Sequence, residues 1–186
     1  KPQETILRES KPRSGVALGG IGAGSFELRK DGIARNWTIF NNLPQFGAAQ
    51  PAAADDAILY FVVRYQEQGK PPQFKLLQID EGDNPAGIML QFYTFRWISG
   101  VARIDYEASY PFTRLKFSDP EMPFVVELEA FSTFIPHDVK NSALPGVYFD
   151  FTITARTKKK VDVMLFMVAK HLPGYGVKER LYRSRV

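Results

Sequence analysis

Two carboxylates, Glu127 and Glu129, stand two residues apart within Phe124 to Phe131. On an extended strand alternate side chains share a face, which would set this pair about 7 Å apart at a rise of roughly 3.3 Å per residue. That separation approaches the one an inverting glycosidase uses to seat a water between its acid and its base. The same spacing belongs to any solvated strand face, and Val126, Leu128 and Ala130 supply the matching apolar side. An acid and a base also need unlike surroundings to hold unlike protonation states, and neighbouring positions on one flat face do not provide them. The solvated-face reading is preferred, and no residue of the chain is assigned a catalytic role.

The other chemistry-bearing residues are weighed in the same way. Gly19-Gly20-Ile21-Gly22-Ala23-Gly24 suggests a dinucleotide fingerprint. Counted from Gly20, however, the sixth position is Ser25, and a strand-like Phe26-Glu27-Leu28 follows in place of a helix. The expectation is a backbone that bends tightly or packs closely, with no nucleotide and no other cofactor. Trp37 and Trp97 could stack on sugars, although a tryptophan within a strand is more often a core residue. His137-Asp138 follows Pro136 without a serine in nucleophile-elbow context, and reads as a polar loop. With no cysteine and only two histidines, His137 and His171, neither thiolate chemistry nor a zinc site is expected.

These residues need a scaffold, and the pattern of the chain is that of strands. Val147, Phe149, Phe151, Ile153 and Ala155 alternate with Tyr148, Asp150, Thr152 and Thr154. Arg103, Asp105 and Glu107 alternate with Ala102, Ile104, Tyr106 and Ala108. Further strands are expected at 25–29, 34–40, 58–66, 74–79, 89–97, 113–117, 124–131 and 161–169. Lys30-Asp31-Gly32, Gln68-Gly69-Lys70-Pro71-Pro72 and Asp119-Pro120 supply turn chemistry between them. Arg156 to Lys160 reads as a hairpin loop. Helical periodicity is scarce, the best stretch being 52–58. The expectation is an all-β fold: one antiparallel two-sheet β-sandwich spanning 1–186.

The net charge of +4 is small and scattered, and Lys158, Lys159 and Lys160 fall in an expected turn. No nucleic-acid surface is therefore expected. The longest apolar run, Val161 to Ala169, is about half of the ~20 residues a membrane helix needs. An exported and a cytoplasmic location both stay open. Val163, Leu165 and Met167 alternate with Met164, Phe166 and Val168, so that strand is apolar on both faces and expects cover on both. Self-association or a partner domain would supply it.

Two stretches together resemble a known family. The first runs from Leu18-Gly19-Gly20-Ile21-Gly22-Ala23-Gly24-Ser25-Phe26-Glu27-Leu28 through Asp31-Gly32 to Asn36-Trp37-Thr38-Ile39-Phe40-Asn41-Asn42. The second is Leu128-Glu129-Ala130-Phe131-Ser132-Thr133-Phe134-Ile135-Pro136, continuing through Asp138, Asn141-Ser142 and Leu144-Pro145. Both are similar to the amino-terminal domain of glycoside hydrolase family 116, which includes the non-lysosomal glucosylceramidases and bacterial β-glucosidases. Ala17 and Thr133 stand where that family often has proline.

The resemblance implies a large β-sandwich followed by a carboxy-terminal (α/α)6 barrel that carries both catalytic carboxylates. That barrel would lie outside 1–186, and the last strands of the sandwich would too. The chain would then be a non-catalytic domain of a retaining β-glycosidase. It would support the barrel, its partner within the same protein, and reach the rim of a pocket for a β-glucoside or glycolipid. The alternative is a stand-alone carbohydrate-binding or protein-interaction sandwich. The binding candidates are Trp37, Asn41, Asn42, His137 and Asp138.

Overall fold

The computed structural model describes residues 15–38, 59–79 and 98–169. Within them lie eleven strands and one short helix. Strands β1 (Ala17–Leu18), β2 (Phe26–Leu28) and β3 (Ala34–Arg35) form a small antiparallel sheet. A second sheet has the order β11-β4-β5-β6. Its strands are β4 (Leu59–Glu67), β5 (Gln73–Leu76), β6 (Ser99–Gly100) and β11 (Val161–Ala169). The third has the order β10-β9-β8-β7, built from β7 (Arg103–Ser109), β8 (Phe112–Ser118), β9 (Phe124–Phe131) and β10 (Tyr148–Ala155). All pairings are antiparallel except β5 with β6, which is parallel. The helix, α1 (Val139–Ser142), interrupts the link from β9 to β10.

The expected two sheets are thus three, one of them mixed. Strands β1 and β6 are only two residues long, too short to show a period in sequence. The expected strand at 89–97, Trp97 and the helical stretch 52–58 lie outside the described residues.

The Arg156 to Lys160 segment is not a hairpin. It carries the chain from β10, paired with β9, to β11, paired with β4 in another sheet. The reason lies in the two strands' apolar faces. Phe149 and Phe151 of β10, and Val161, Val163 and Leu165 of β11, all pack against one shared core. Turn-forming residues signal a reversal of direction, but the pairing partner is set by where each apolar face can be buried.

The core draws on all three sheets: Leu18 and Leu28, Val63 and Tyr65, Leu115, Phe117, Val126 and Leu128. Phe61 meets Phe149 and Phe151 edge-on at 5.3 and 5.1 Å between ring centroids, and Tyr65 meets Phe124 at 5.3 Å. Edge-to-face contacts of this kind add to the gain from burying the rings. Strand β11 packs its Val163 and Leu165 side inward and leaves Met164, Phe166 and Val168 exposed. No described helix is long and apolar enough to cross a membrane.

Candidate functional site

The outward face of β7 to β10 carries the densest chemistry among the described residues. Register arranges it in two rows across the strands. One row reads Asp105, Lys116, Glu127, Thr152, and the next Glu107, Arg114, Glu129, Asp150. Lys116 reaches Glu127 at 2.8 Å. Arg114 joins Glu129 at 2.5 Å and Glu107 at 3.3 Å, so one guanidinium bridges three strands. Those two carboxylates hold its pKa above the ordinary arginine value, the Glu129 hydrogen bond contributing most. A shallow depression of about 630 Å³ lies over these rows. Along one border runs a row of rings, Phe112, Phe131 and Tyr148, with centroids 5.4 and 5.2 Å apart. The Arg114 guanidinium lies 5.3 Å from the Phe112 ring centroid.

Glu127 and Glu129 therefore share one face, as their spacing implies. Each is paired with a neighbouring cation, and both are substantially exposed, at 44% and 35%. Surroundings this similar do not separate an acid from a base. What the rows do supply is opposite charges directly across strands, which favours this register over its neighbours. They also supply a surface rich in hydrogen-bonding groups.

The sequence candidates lie elsewhere. Trp37 is 6% exposed, stacks on Phe26 at 4.3 Å and donates its indole N–H to the Ala34 carbonyl. Asn41 and Asn42 lie outside the described residues. His137 adopts a positive φ of 67° in the turn leading to α1. Asp138 caps that helix, its carboxylate accepting from the Asn141 backbone N–H at 3.0 Å. That bond, then one from the Asn141 side-chain amide, holds the Asp138 pKa below the usual carboxylate range. Among the described residues no three His, Asp or Glu side chains converge as a metal ion would need.

The glycine stretch and the segment after β9 are brought together. The Gly19 N–H donates to the Ser132 hydroxyl at 2.6 Å, and the Ile21 N–H to the Ser142 carbonyl at 2.9 Å. A Cβ on Gly20 would sit 2.4 Å from the Leu144 carbonyl oxygen, so only glycine fits there. Gly19 and Gly20 are half-buried and buried, whereas Ile21, Gly22 and Ala23 form an exposed tip. The expected close packing holds for the base of the loop but not for its tip.

A buried polar network beneath β2 and β3 escaped sequence reading. The Glu27 carboxylate accepts from the Gly15 N–H at 2.8 Å and from the Asn36 amide at 2.9 Å, and Arg29 stands 3.8 Å away. Arg35 pairs with Asp31 at 3.3 Å. Asn36 holds a positive φ of 57°, a conformation asparagine tolerates better than most residues. Burial raises the Tyr106 pKa, with the Glu27 charge adding to it, and the Tyr106 hydroxyl donates to the Leu28 carbonyl at 3.3 Å. Charged residues in a short strand read as solvent-facing, and the positive φ of Asn36 leaves no mark in a single sequence.

No curated protein matches the chain. A protein family described as beta-glucosidase 2, glycosyl-hydrolase family 116 N-term, matches residues 15–185. That span takes in both loops of the interlocked pair, the charged face and every described strand. The chain belongs to the glycosyl-hydrolase family 116 N-terminal domain family.

Proposed function

We propose that this chain is the non-catalytic amino-terminal β-sandwich of a retaining β-glycosidase of the β-glucosidase and glucosylceramidase type. One domain spans 1–186, supports a carboxy-terminal (α/α)6 catalytic barrel and reaches toward the rim of its sugar pocket. The observation that carries the reading is the family match over residues 15–185 to an N-terminal domain. The shared core, with Phe61 against Phe149 and Phe151 and Tyr65 against Phe124, supports a sandwich of the two larger sheets. The matched, cation-paired surroundings of Glu127 and Glu129 support a catalytic pair located elsewhere.

The test is an aryl β-glucoside assay on the purified chain and on the same polypeptide extended through its downstream domain. The extended protein turns over and the chain alone does not. Turnover by the chain alone that Glu127→Gln or Glu129→Gln abolishes would overturn this reading.

A second reading, a carbohydrate-binding face, is favoured by one observation: the polar depression bordered by Phe112, Phe131 and Tyr148. Carboxylates and cations beside an aromatic row suit a hydroxyl-rich ligand with apolar ring faces. Titration of the chain with soluble β-glucan oligosaccharides, followed by calorimetry, separates the two readings. Heat that Arg114→Ala and Tyr148→Ala both remove would establish this one.

A further inference from the structure

The outward face of β7 to β10 has a third row beside its two charged ones. Ser109, Phe112, Phe131 and Tyr148 stand opposite one another across the four strands. Phe131 and Tyr148 stack with 15° between their planes, so one face of the Tyr148 ring is covered. Strand β10 is the end strand of this sheet among the described residues, and no strand of the sheet stands against the other face. Tyr148 is 53% exposed, whereas Phe112 and Phe131 are half-buried. The row thus ends in a held ring with one open face, on which a pyranose can lay its C–H side.

The same strand continues with Asp150 and Thr152, both exposed on that face. At roughly 3.4 Å per residue, Asp150 follows Tyr148 at about 7 Å, close to the width of one sugar ring with its substituents. Register sets Asp150 directly opposite Glu129. Like charges in that position work against strand pairing. The cation of this row, Arg114, is taken up by Glu129 and Glu107. Asp150 makes no ion pair with any described residue.

The imbalance extends across the depression. Five carboxylates line it against two cations, Lys116 and Arg114. The chain as a whole carries +4, so the depression is a negative spot on a positive molecule. It offers hydrogen-bond acceptors in excess and repels an anion. Its complement combines an apolar ring face for Tyr148, hydroxyl donors for the carboxylates and a positive charge for Asp150. An amino sugar carries all three on one pyranose. A neutral sugar leaves Asp150 and Glu129 opposed, and a uronic acid adds a further negative charge. A basic peptide brings the charge without the ring of hydroxyls.

We propose that the outward face of β7 to β10 binds an oligosaccharide of amino sugars, with one pyranose on the open face of Tyr148 and its ammonium group at Asp150. The next unit of the oligomer runs along β10 toward Thr152. The proposal rests on the carbohydrate-binding reading of this face and adds the class of sugar.

Calorimetric titration of the chain tests it, with glucosamine oligomers, their N-acetylated counterparts and cello-oligomers of equal length. The pH is mildly acidic, so that the amines are charged while the carboxylates stay ionised. The glucosamine oligomers bind about ten-fold or more tightly than either uncharged series. Asp150→Asn removes that advantage and leaves the weaker binding of the cello-oligomers as it was, while Tyr148→Ala weakens both. Asp150→Asn does not lower the melting temperature, since it relieves the opposition to Glu129. Equal affinity for charged and uncharged oligomers overturns the assignment to amino sugars and leaves the carbohydrate reading intact. No binding of any sugar overturns that reading as well. Pentalysine bound as tightly as the glucosamine oligomers, and indifferent to Tyr148→Ala, shows attraction of charge alone and also overturns the proposal.

Discussion

Lys75 places its ammonium 3.2 Å from the carboxylate of Asp119, and both side chains are almost fully buried. Asp119 also accepts from the Ala102 N–H at 3.0 Å and the Glu121 N–H at 2.8 Å, so one carboxylate joins β5 to the turns around β7 and β8. Removing it leaves the Ala102 and Glu121 N–H groups without their acceptor, and Lys75 with the Glu121 carboxylate at 2.7 Å alone. Asp119→Ala lowers the stability of the chain by about 1–3 kcal/mol. Lys75→Met costs clearly less, because Asp119 keeps its two backbone donors. Urea unfolding of the two variants checks the order, and equal losses would show that the ammonium is not confined there.

The same lysine sets a pH dependence. Burial pulls the Lys75 pKa down, but hydrogen bonds to Glu121 and Asp119 and their charges outweigh it, leaving the pKa above the ordinary lysine value. A folded pKa raised above the unfolded one means that the stabilisation is fully present below the unfolded lysine value, about 10.4. It is lost as pH rises from there through the folded pKa. Wild-type stability therefore falls more steeply than that of Lys75→Met above about pH 10, and the two curves run parallel at neutral pH. Parallel curves throughout the alkaline range would refute the assignment.

Gly20 and Gly22 respond differently to substitution. A Cβ at Gly20 meets backbone oxygens of Leu144 and Ala143 at 2.4 and 2.7 Å, which cannot move without parting the loops. Gly22 has a positive φ of 76° but open space around it. Gly22→Ala costs about 1–2 kcal/mol through backbone strain alone. Gly20→Ala costs more and also frees the Ser132 to Val147 link, seen as faster amide exchange there. Equal effects would mean that the loops are not interlocked in solution.

Strand β11 is the end strand of its sheet among the described residues, and its Met164, Phe166 and Val168 are exposed beside Tyr60 and Val62 of β4. An apolar end strand is a template for pairing with another copy. Sedimentation of the chain alone shows concentration-dependent association, and Phe166→Lys shifts it toward monomer. A wild-type chain that stays monomeric at tens of micromolar would show that this face is already protected.

The strands most legible in the sequence are those with one buried face. Phe124–Phe131 appears at the expected bounds because alternation survives where half the side chains must reach the core, and Val161–Ala169 because its apolar run is bounded by turn-forming residues. Strands β1 and β6 have no room for alternation, and the destination of the Arg156 to Lys160 segment depends on pairing between distant strands. Of the charged face, the Glu127 and Glu129 spacing was readable. Their pairing with Lys116 and Arg114 was not, because it depends on cross-strand register. Glu27 and Arg35 were invisible as buried residues, since a charged side chain looks the same in sequence whether it faces water or a partner.

The bond from Gly19 to Ser132 spans 113 residues. While the chain is being synthesised, the glycine loop emerges long before the segment that fastens it. Strands β7, β8 and β9 pair with their immediate neighbours in sequence and can form early, whereas β4 pairs early with β5 on one edge and must wait for β11 on the other. The tie of the amino-terminal sheet to Ser132 and the second edge of β4 are thus the last to be made, and apolar side chains stay in the open there until then. Ribosome-bound chains ending before Ser132 will be the species most dependent on chaperones. Once Ser132 and Ser142 have emerged, the base of the glycine loop is fastened through the Gly19 and Ile21 N–H groups.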